Sequence, residues 1–245
     1  RYEYKAFDIN HLEQFKKHFD DKILGQKNVK DALSRGLYKT AKGYNNKKPL
    51  TVLFYGPTGV GKTETAKFIA EIIGRELFRK QFSMYQNNSF SDYLFGASHT
   101  SSSFAKDLLD RQSNVILLDE FDKANNLFYS AFYQLFDEGI YSDRNYEVHL
   151  ENGLIICTSN FLSVAHIKEV LGEPIYNRFD LVVEFSELSK EISEKIIQNR
   201  YATTINILDS SDRKIIDEFG ELERLMEYAQ HLKNVRAIDK FIDEY

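Results

Sequence analysis

Eight consecutive residues carry the strongest chemical signal in the chain: Gly56-Pro57-Thr58-Gly59-Val60-Gly61-Lys62-Thr63. They satisfy the spacing G-x-x-x-x-G-K-[ST], which arises by chance on the order of once in a hundred chains of this length at average residue frequencies. Glycines let backbone N–H groups curl around phosphate oxygens without Cβ clashes, and a helix N-terminus adds favourable potential. In that geometry Lys62 reaches the β- and γ-phosphates of ATP, and the Thr63 hydroxyl ligates Mg²⁺. A glycine-rich turn without a ligand has no need of the Gly-Lys-Thr ending.

A second signal lies about a third of a domain further on. Val115-Ile116-Leu117-Leu118-Asp119-Glu120 is an apolar run ending in two carboxylates. If the run is a strand of a parallel sheet, both acids stand at its tip, where such sheets bind ligands. Asp119 then holds Mg²⁺, directly or through water. Glu120 polarises the attacking water, the step that separates hydrolysis from mere binding.

The flanking residues predict elements suited to hold these groups. Thr51 to Tyr55 reads as a buried strand and Lys62 to Ile73 as a helix closed by Gly74. The alternation continues with a strand over Leu77 to Phe82, a helix over Phe104 to Arg111 and the Val115 strand. A helical pattern of Leu127, Ala131, Leu135 and Phe136 follows, then strands at Leu154 to Thr158 and Leu181 to Phe185. Upstream, His11 to Phe19 predicts a short polar-faced helix, and Val29, Leu33, Leu37 and Ala41 an amphipathic one. Strands apolar on both faces and separated by helices indicate an α/β fold, a parallel sheet covered on both sides. After Phe185 the chain is helix-like and highly charged, so a boundary is expected near Ser186. This gives a large nucleotide-binding domain over 1–185 and a small helical lid over 186–245.

Composition narrows the function classes. A chain of 245 residues with net charge -5 and 42% hydrophobic residues is globular and gives no general reason to expect nucleic acid. The single cysteine, Cys157, lies in an apolar run and reads as a buried strand residue. No stretch approaches the ~20 apolar residues needed to span a bilayer. The first residues do not resemble a signal peptide, so the default compartment is the cytosol. The chain begins at Arg1, as a piece of a longer protein would.

With these motifs in place the chain resembles the AAA+ ATPases, most closely the second ATPase domain of Clp-type unfoldases and disaggregases, from about Ile23 to Phe241. Ile23-Leu24-Gly25-Gln26 is similar to that family's segment against the adenine. Gly56 to Glu64 matches its P-loop, which implies nucleotide contacts from Pro57, Thr58, Gly59, Val60, Gly61, Lys62, Thr63 and Glu64. Asp119-Glu120-Phe121-Asp122-Lys123-Ala124 matches its second motif, and Asp137-Glu138-Gly139, Ser142-Asp143 and Thr158-Ser159-Asn160 fall in its order. The resemblance implies that Asn160 orients the lytic water. It also implies that Arg178, in Ile175-Tyr176-Asn177-Arg178-Phe179-Asp180, is an arginine finger acting in trans in a ring, expected to be a hexamer. Ile196 and Arg236 would complete the nucleotide site from the lid. In Asn234-Val235-Arg236 the family's Gly-Ala is replaced while the arginine is kept.

One departure bears on function. Where the family carries a pore loop that grips polypeptide, this chain has Phe95-Gly96-Ala97-Ser98-His99-Thr100-Ser101-Ser102-Ser103-Phe104, shorter and polar in the middle. A Phe opening an amphipathic helix is a core residue more often than a grip, and His99 lacks companions at metal spacing. The expected function is a ring ATPase that remodels protein partners. The alternative is a nucleotide-controlled assembly switch or scaffold that does not thread polypeptide. A nucleic-acid motor ranks last, for want of clustered basic and aromatic residues.

Overall fold

Alternate side chains of a strand point to opposite faces, and here that rule divides the core in two. Val52 and Phe54 join one apolar cluster with Phe15, Phe19, Leu33 and Phe68. Leu53 and Tyr55 join another with Phe104, Phe121, Phe132 and Phe136. Between the clusters lies a parallel sheet in the order β2-β3-β6-β1-β7. Its strands are β1 (Leu50–Tyr55), β2 (Phe78–Gln81), β3 (Val115–Asp119), β6 (Leu154–Thr158) and β7 (Leu181–Glu184). The remaining strands, β4 (Ile140–Ser142) and β5 (Glu147–His149), form an antiparallel hairpin. The computed structural model describes residues 4–44, 48–84, 89–97, 101–124, 126–209 and 221–243.

Helices α1 (Ile9–Lys22), α2 (Lys27–Ala41) and α3 (Lys62–Ile73) carry the first cluster. α1 extends beyond the predicted His11 to Phe19, and opposite its polar face Leu12, Phe15 and Phe19 recur at helical spacing and are buried. It opens on a reciprocal cap: Asp8 accepts from the His11 N–H at 2.9 Å, and His11 Nδ1 accepts from the Asp8 N–H at 3.1 Å. On the other face lie α4 (Ser89–Phe95), α5 (Phe104–Asp110), α6 (Tyr133–Glu138), α7 (Val164–Leu171) and α8 (Glu173–Tyr176). The stretch from Asn126 to Phe132 winds as a 3-10 helix rather than an α-helix. That winding eclipses residues three apart, and it sets Tyr129 and Phe132 against Phe121 with ring centroids 5.1 and 5.5 Å away. Sequence patterning missed α4, α7, α8 and the hairpin.

Cys157 is fully buried in β6, as its run predicts. From Leu188 onward a third cluster forms, with Ile196, Ile197, Leu225, Ala229 and Ile238. It is built from α9 (Lys190–Ile207), α10 (Glu221–Tyr228) and α11 (Val235–Asp243). Among the described residues no helix is long and apolar enough to cross a membrane.

Candidate nucleotide site

The P-loop starts where β1 meets the end of β7. Gly56 sits at φ +131°, and a Cβ there would lie 2.1 Å from the Phe185 carbonyl oxygen. No side chain fits that crossing, which is the local reason for the first glycine. At the other end Gly61, at φ 107°, turns the chain into α3 and directs that helix's unpaired N–H groups into the loop.

Lys62, the first residue of α3, is almost buried. Its Nζ donates to the carbonyls of Gly56 and Pro57, each at 2.6 Å, and to Asn160 Oδ1 at 3.2 Å. Burial lowers the lysine pKa to about 8; Asp122 and Asp119 oppose the shift and Arg236 adds to it. Asn160, just past β6, also accepts from Thr58 Oγ1 at 3.2 Å. The amide therefore reaches the same point as the lysine.

At the end of β3, Asp119 is buried and fully engaged. Oδ1 accepts from Thr158 Oγ1 and from Thr63 Oγ1, the latter at 3.4 Å. Oδ2 accepts from Arg79, whose Nε is 3.0 Å away. Glu120 adopts a left-handed conformation, φ 56° and ψ 44°. That costs a non-glycine residue about 1 kcal/mol or more, and such strain concentrates at functional positions. Its N–H donates to Thr158 Oγ1 at 3.0 Å, and its carboxylate accepts from Gln81 Nε2 at 3.1 Å. Arg79 and Gln81 escaped sequence reading, and Thr158 was read only within the Thr158-Ser159-Asn160 segment, with no role of its own. Their signal exists only in register: Gln81 pairs with Asp119 across β2 and β3, so alternate β2 residues face the two acids.

These groups line one cleft of about 540 Å³ together with Ile23, Leu24, Val60, Ile196 and Arg236. The volume suits a small ligand. Ile23, Leu24 and Ile196 supply an apolar end, while Thr58 to Glu64 supply the polar floor. Gln26 clamps the Ile23 segment by donating to Ser186 O at 2.8 Å and accepting from Ser186 N–H at 3.2 Å. The helical segment closes the cleft through the P-loop itself: Val235 N–H donates to Gly59 O at 2.8 Å. Asn234, in place of the family's glycine, accepts from Ala237 N–H at 2.8 Å. Arg200 and Asp239, paired at 2.9 Å, join α9 to α11 on the same wall.

Two expected site residues lie outside the cleft wall. Pro57 contributes only its carbonyl, to Lys62. Arg178 stands apart, paired to Asp137 at 2.8 Å and lying over the Tyr133 ring at 4.0 Å. Thr63 and Asp119 present a hydroxyl and a carboxylate, both hard oxygen donors. Among the described residues no three His, Cys, Asp or Glu side chains gather into a metal cage. That donor set fits Mg²⁺, which takes its remaining ligands from phosphates and water.

A profile of the AAA domain (Cdc48 subfamily) matches residues 47–219, well over half of the chain. The chain belongs to that family. Among curated relatives, the ATP-dependent Clp protease ATP-binding subunit ClpL of Staphylococcus aureus strain bovine RF122 / ET3-1 is 26% identical over 274 positions. The ClpL of strain MRSA252 is 29% identical over the same length. Each alignment covers 98% of this chain but 39% of the relative, so the chain spans about two fifths of the curated relatives it matches. A closed-state cryo-EM reconstruction of Hsp104 with ATPγS and FITC casein superposes with a TM-score of 0.78 at 20% identity. It covers 96% of this chain and 46% of that one, and at this identity it speaks to the fold alone. The parallel sheet and the P-loop agree with an ATPase domain of that family.

Proposed function

We propose that this AAA+ domain binds ATP with Mg²⁺ in the cleft, hydrolyses it, and in a self-assembled ring couples turnover to remodelling of protein partners. The supporting observation is the convergence of Lys62, Thr63, Asp119 and Asn160, from separate parts of the chain, on one hydrogen-bonded floor with Glu120 beside it. Lys62 binds the β- and γ-phosphates. Thr63 and Asp119 hold Mg²⁺, which offsets phosphate charge when bound. Glu120 takes the proton of the attacking water and Asn160 orients that water. Ile23, Leu24 and Ile196 take the base, and Arg236 reaches the phosphates from α11. Residues 1–185 form the nucleotide-binding domain and 186–245 the lid, a division supported by the separate apolar cluster from Leu188 onward. A cytosolic location belongs to this reading.

In the ring, expected to be a hexamer, Arg178 acts on the neighbouring subunit's nucleotide. Its place away from its own cleft, in contact with Asp137 and Tyr133, agrees with a role in trans. Arg178→Ala should leave nucleotide binding nearly intact and lower turnover by about 10³-fold, the range of arginine fingers. Wild-type turnover per subunit should rise with protein concentration. Constant specific activity down to a demonstrated monomer would rule out action in trans.

A second reading, an assembly switch that does not thread polypeptide, has its own support. Phe104 is fully buried, 4.8 Å from Tyr141 between ring centroids, and Ser103 caps α5 by accepting from Lys106 N–H at 3.2 Å. Neither is available to press on a substrate. His99 and its neighbours Ser98 and Thr100 lie outside the described residues. The remaining serines, Ser101 and Ser102, carry small polar side chains that gain little against an apolar chain. The domain is therefore expected to hydrolyse ATP without processively unfolding a tagged fluorescent protein. ATP-dependent loss of that fluorescence, with turnover intact, would return the function to threading.

A further inference from the structure

Arg79 and Gln81 stand two positions apart on β2, on one face of the strand, and each reaches a different acid at the end of β3. The bond from Gln81 leaves Glu120 with a free carboxylate oxygen. The bond from Arg79 is of another kind, because it places a full positive charge on the oxygen that a cation would seek. Both Nε and Nη2 of the guanidinium converge on Asp119 Oδ2. The other oxygen already serves Thr158 and Thr63.

We infer that Arg79 is a positioning residue that competes with the divalent cation for Asp119, so that the cation is admitted only when nucleotide phosphates draw the guanidinium away. The inference rests on Thr63 and Asp119 being the cation-holding pair. Asp119 is 8% exposed at its side chain, and an ionised carboxylate so enclosed needs a partner. A cation approaching Oδ2 meets a guanidinium bound to the same atom, and two positive charges at contact distance repel strongly away from bulk water. To clear that oxygen the guanidinium has to move. The Arg79 side chain is 42% exposed and lines the cleft beside Lys62 and Thr63. A polyphosphate bound at the P-loop offers it new oxygens, in the bidentate geometry that guanidinium favours. The arrangement lets the site ignore free cation and take the cation together with its nucleotide.

The test uses Mn²⁺ as the probe, followed by electron paramagnetic resonance, with and without ADP. Wild type should bind Mn²⁺ weakly alone and more tightly with nucleotide. In Arg79→Gln, binding of Mn²⁺ alone should tighten by roughly tenfold, the scale of one hydrogen bond to a charged group, and the gain on adding ADP should shrink. Arg79→Lys, which keeps a point charge without the fork, should fall between the two, and it carries the test if the glutamine variant does not fold. Unchanged or weaker binding of Mn²⁺ alone in both variants overturns the inference, because a residue that only props Asp119 loosens the site when removed. If wild-type protein binds ADP but gains no Mn²⁺ with it, the cation pair itself is wrong, and the inference falls with it.

Discussion

Lys62→Ala should weaken ATP binding by about 10²-fold or more while leaving the fold in place. The estimate follows from losing two or more hydrogen bonds between a charged donor and phosphate oxygens, each worth about 1.5–3 kcal/mol. Affinity should fall without loss of structure because the lysine is a burden in the folded chain. It is nearly buried, its charged form is disfavoured by burial, and its Nζ is satisfied by loop carbonyls and Asn160. Alanine removes the charge and frees the space of the ammonium beside the cleft, where water takes up those acceptors. Calorimetry with ATP, beside a thermal melt of each protein, separates binding from folding. Unchanged affinity in a folded variant would remove Lys62 from the phosphate site.

Glu120→Gln should act on the other parameter. The amide keeps the size of the carboxylate and can still pair with Gln81, now 3.1 Å from a Glu120 oxygen. It cannot take a proton. ATP should bind within a few-fold of wild type while turnover falls by roughly 10²-fold or more, the contribution of a positioned general base. The left-handed backbone at Glu120 belongs to the same argument. It turns the side chain away from the strand direction that Asp119 follows, so two adjacent acids take different tasks. Near-normal turnover in this variant would assign the proton to another group.

The parts of this site that sequence revealed are those whose chemistry is local. The P-loop is contiguous, so Gly56 to Thr63 could be read without knowing any neighbour, and the strand before it and helix after it are where the motif requires. Asp119 and Glu120 were legible because an apolar run ending in acids implies a strand tip. Arg79, Gln81 and the role of Thr158 were not, since their meaning depends on which strands are adjacent, and β2, β3 and β6 are far apart in the chain. Short elements escaped for a different reason. α8 spans four residues and β4 and β5 three each, too few for an apolar period to repeat. α1 was underestimated because Lys16, Lys17 and His18 between its buried Phe15 and Phe19 hid the stripe that α3, richer in Ala and Ile, displays openly.

The bond from Val235 to Gly59 also has a mechanical meaning. It ties the first residue of α11 to Gly59 of the P-loop by a backbone hydrogen bond, a joint about which the helix could turn. Nine residues of helix make a lever about 13 Å long. A rotation of about ten degrees at the pivot therefore carries its far end through about 2 Å. Gly59 has no side chain to jam that rotation, and a Cβ there would meet Asn234 Oδ1 at 3.0 Å and Arg236 Cγ at 3.3 Å. Alanine at this position would have to hold φ +77° and push the Asn234 side chain aside, so the joint between P-loop and helix would be strained at the same residue that lines the nucleotide cleft.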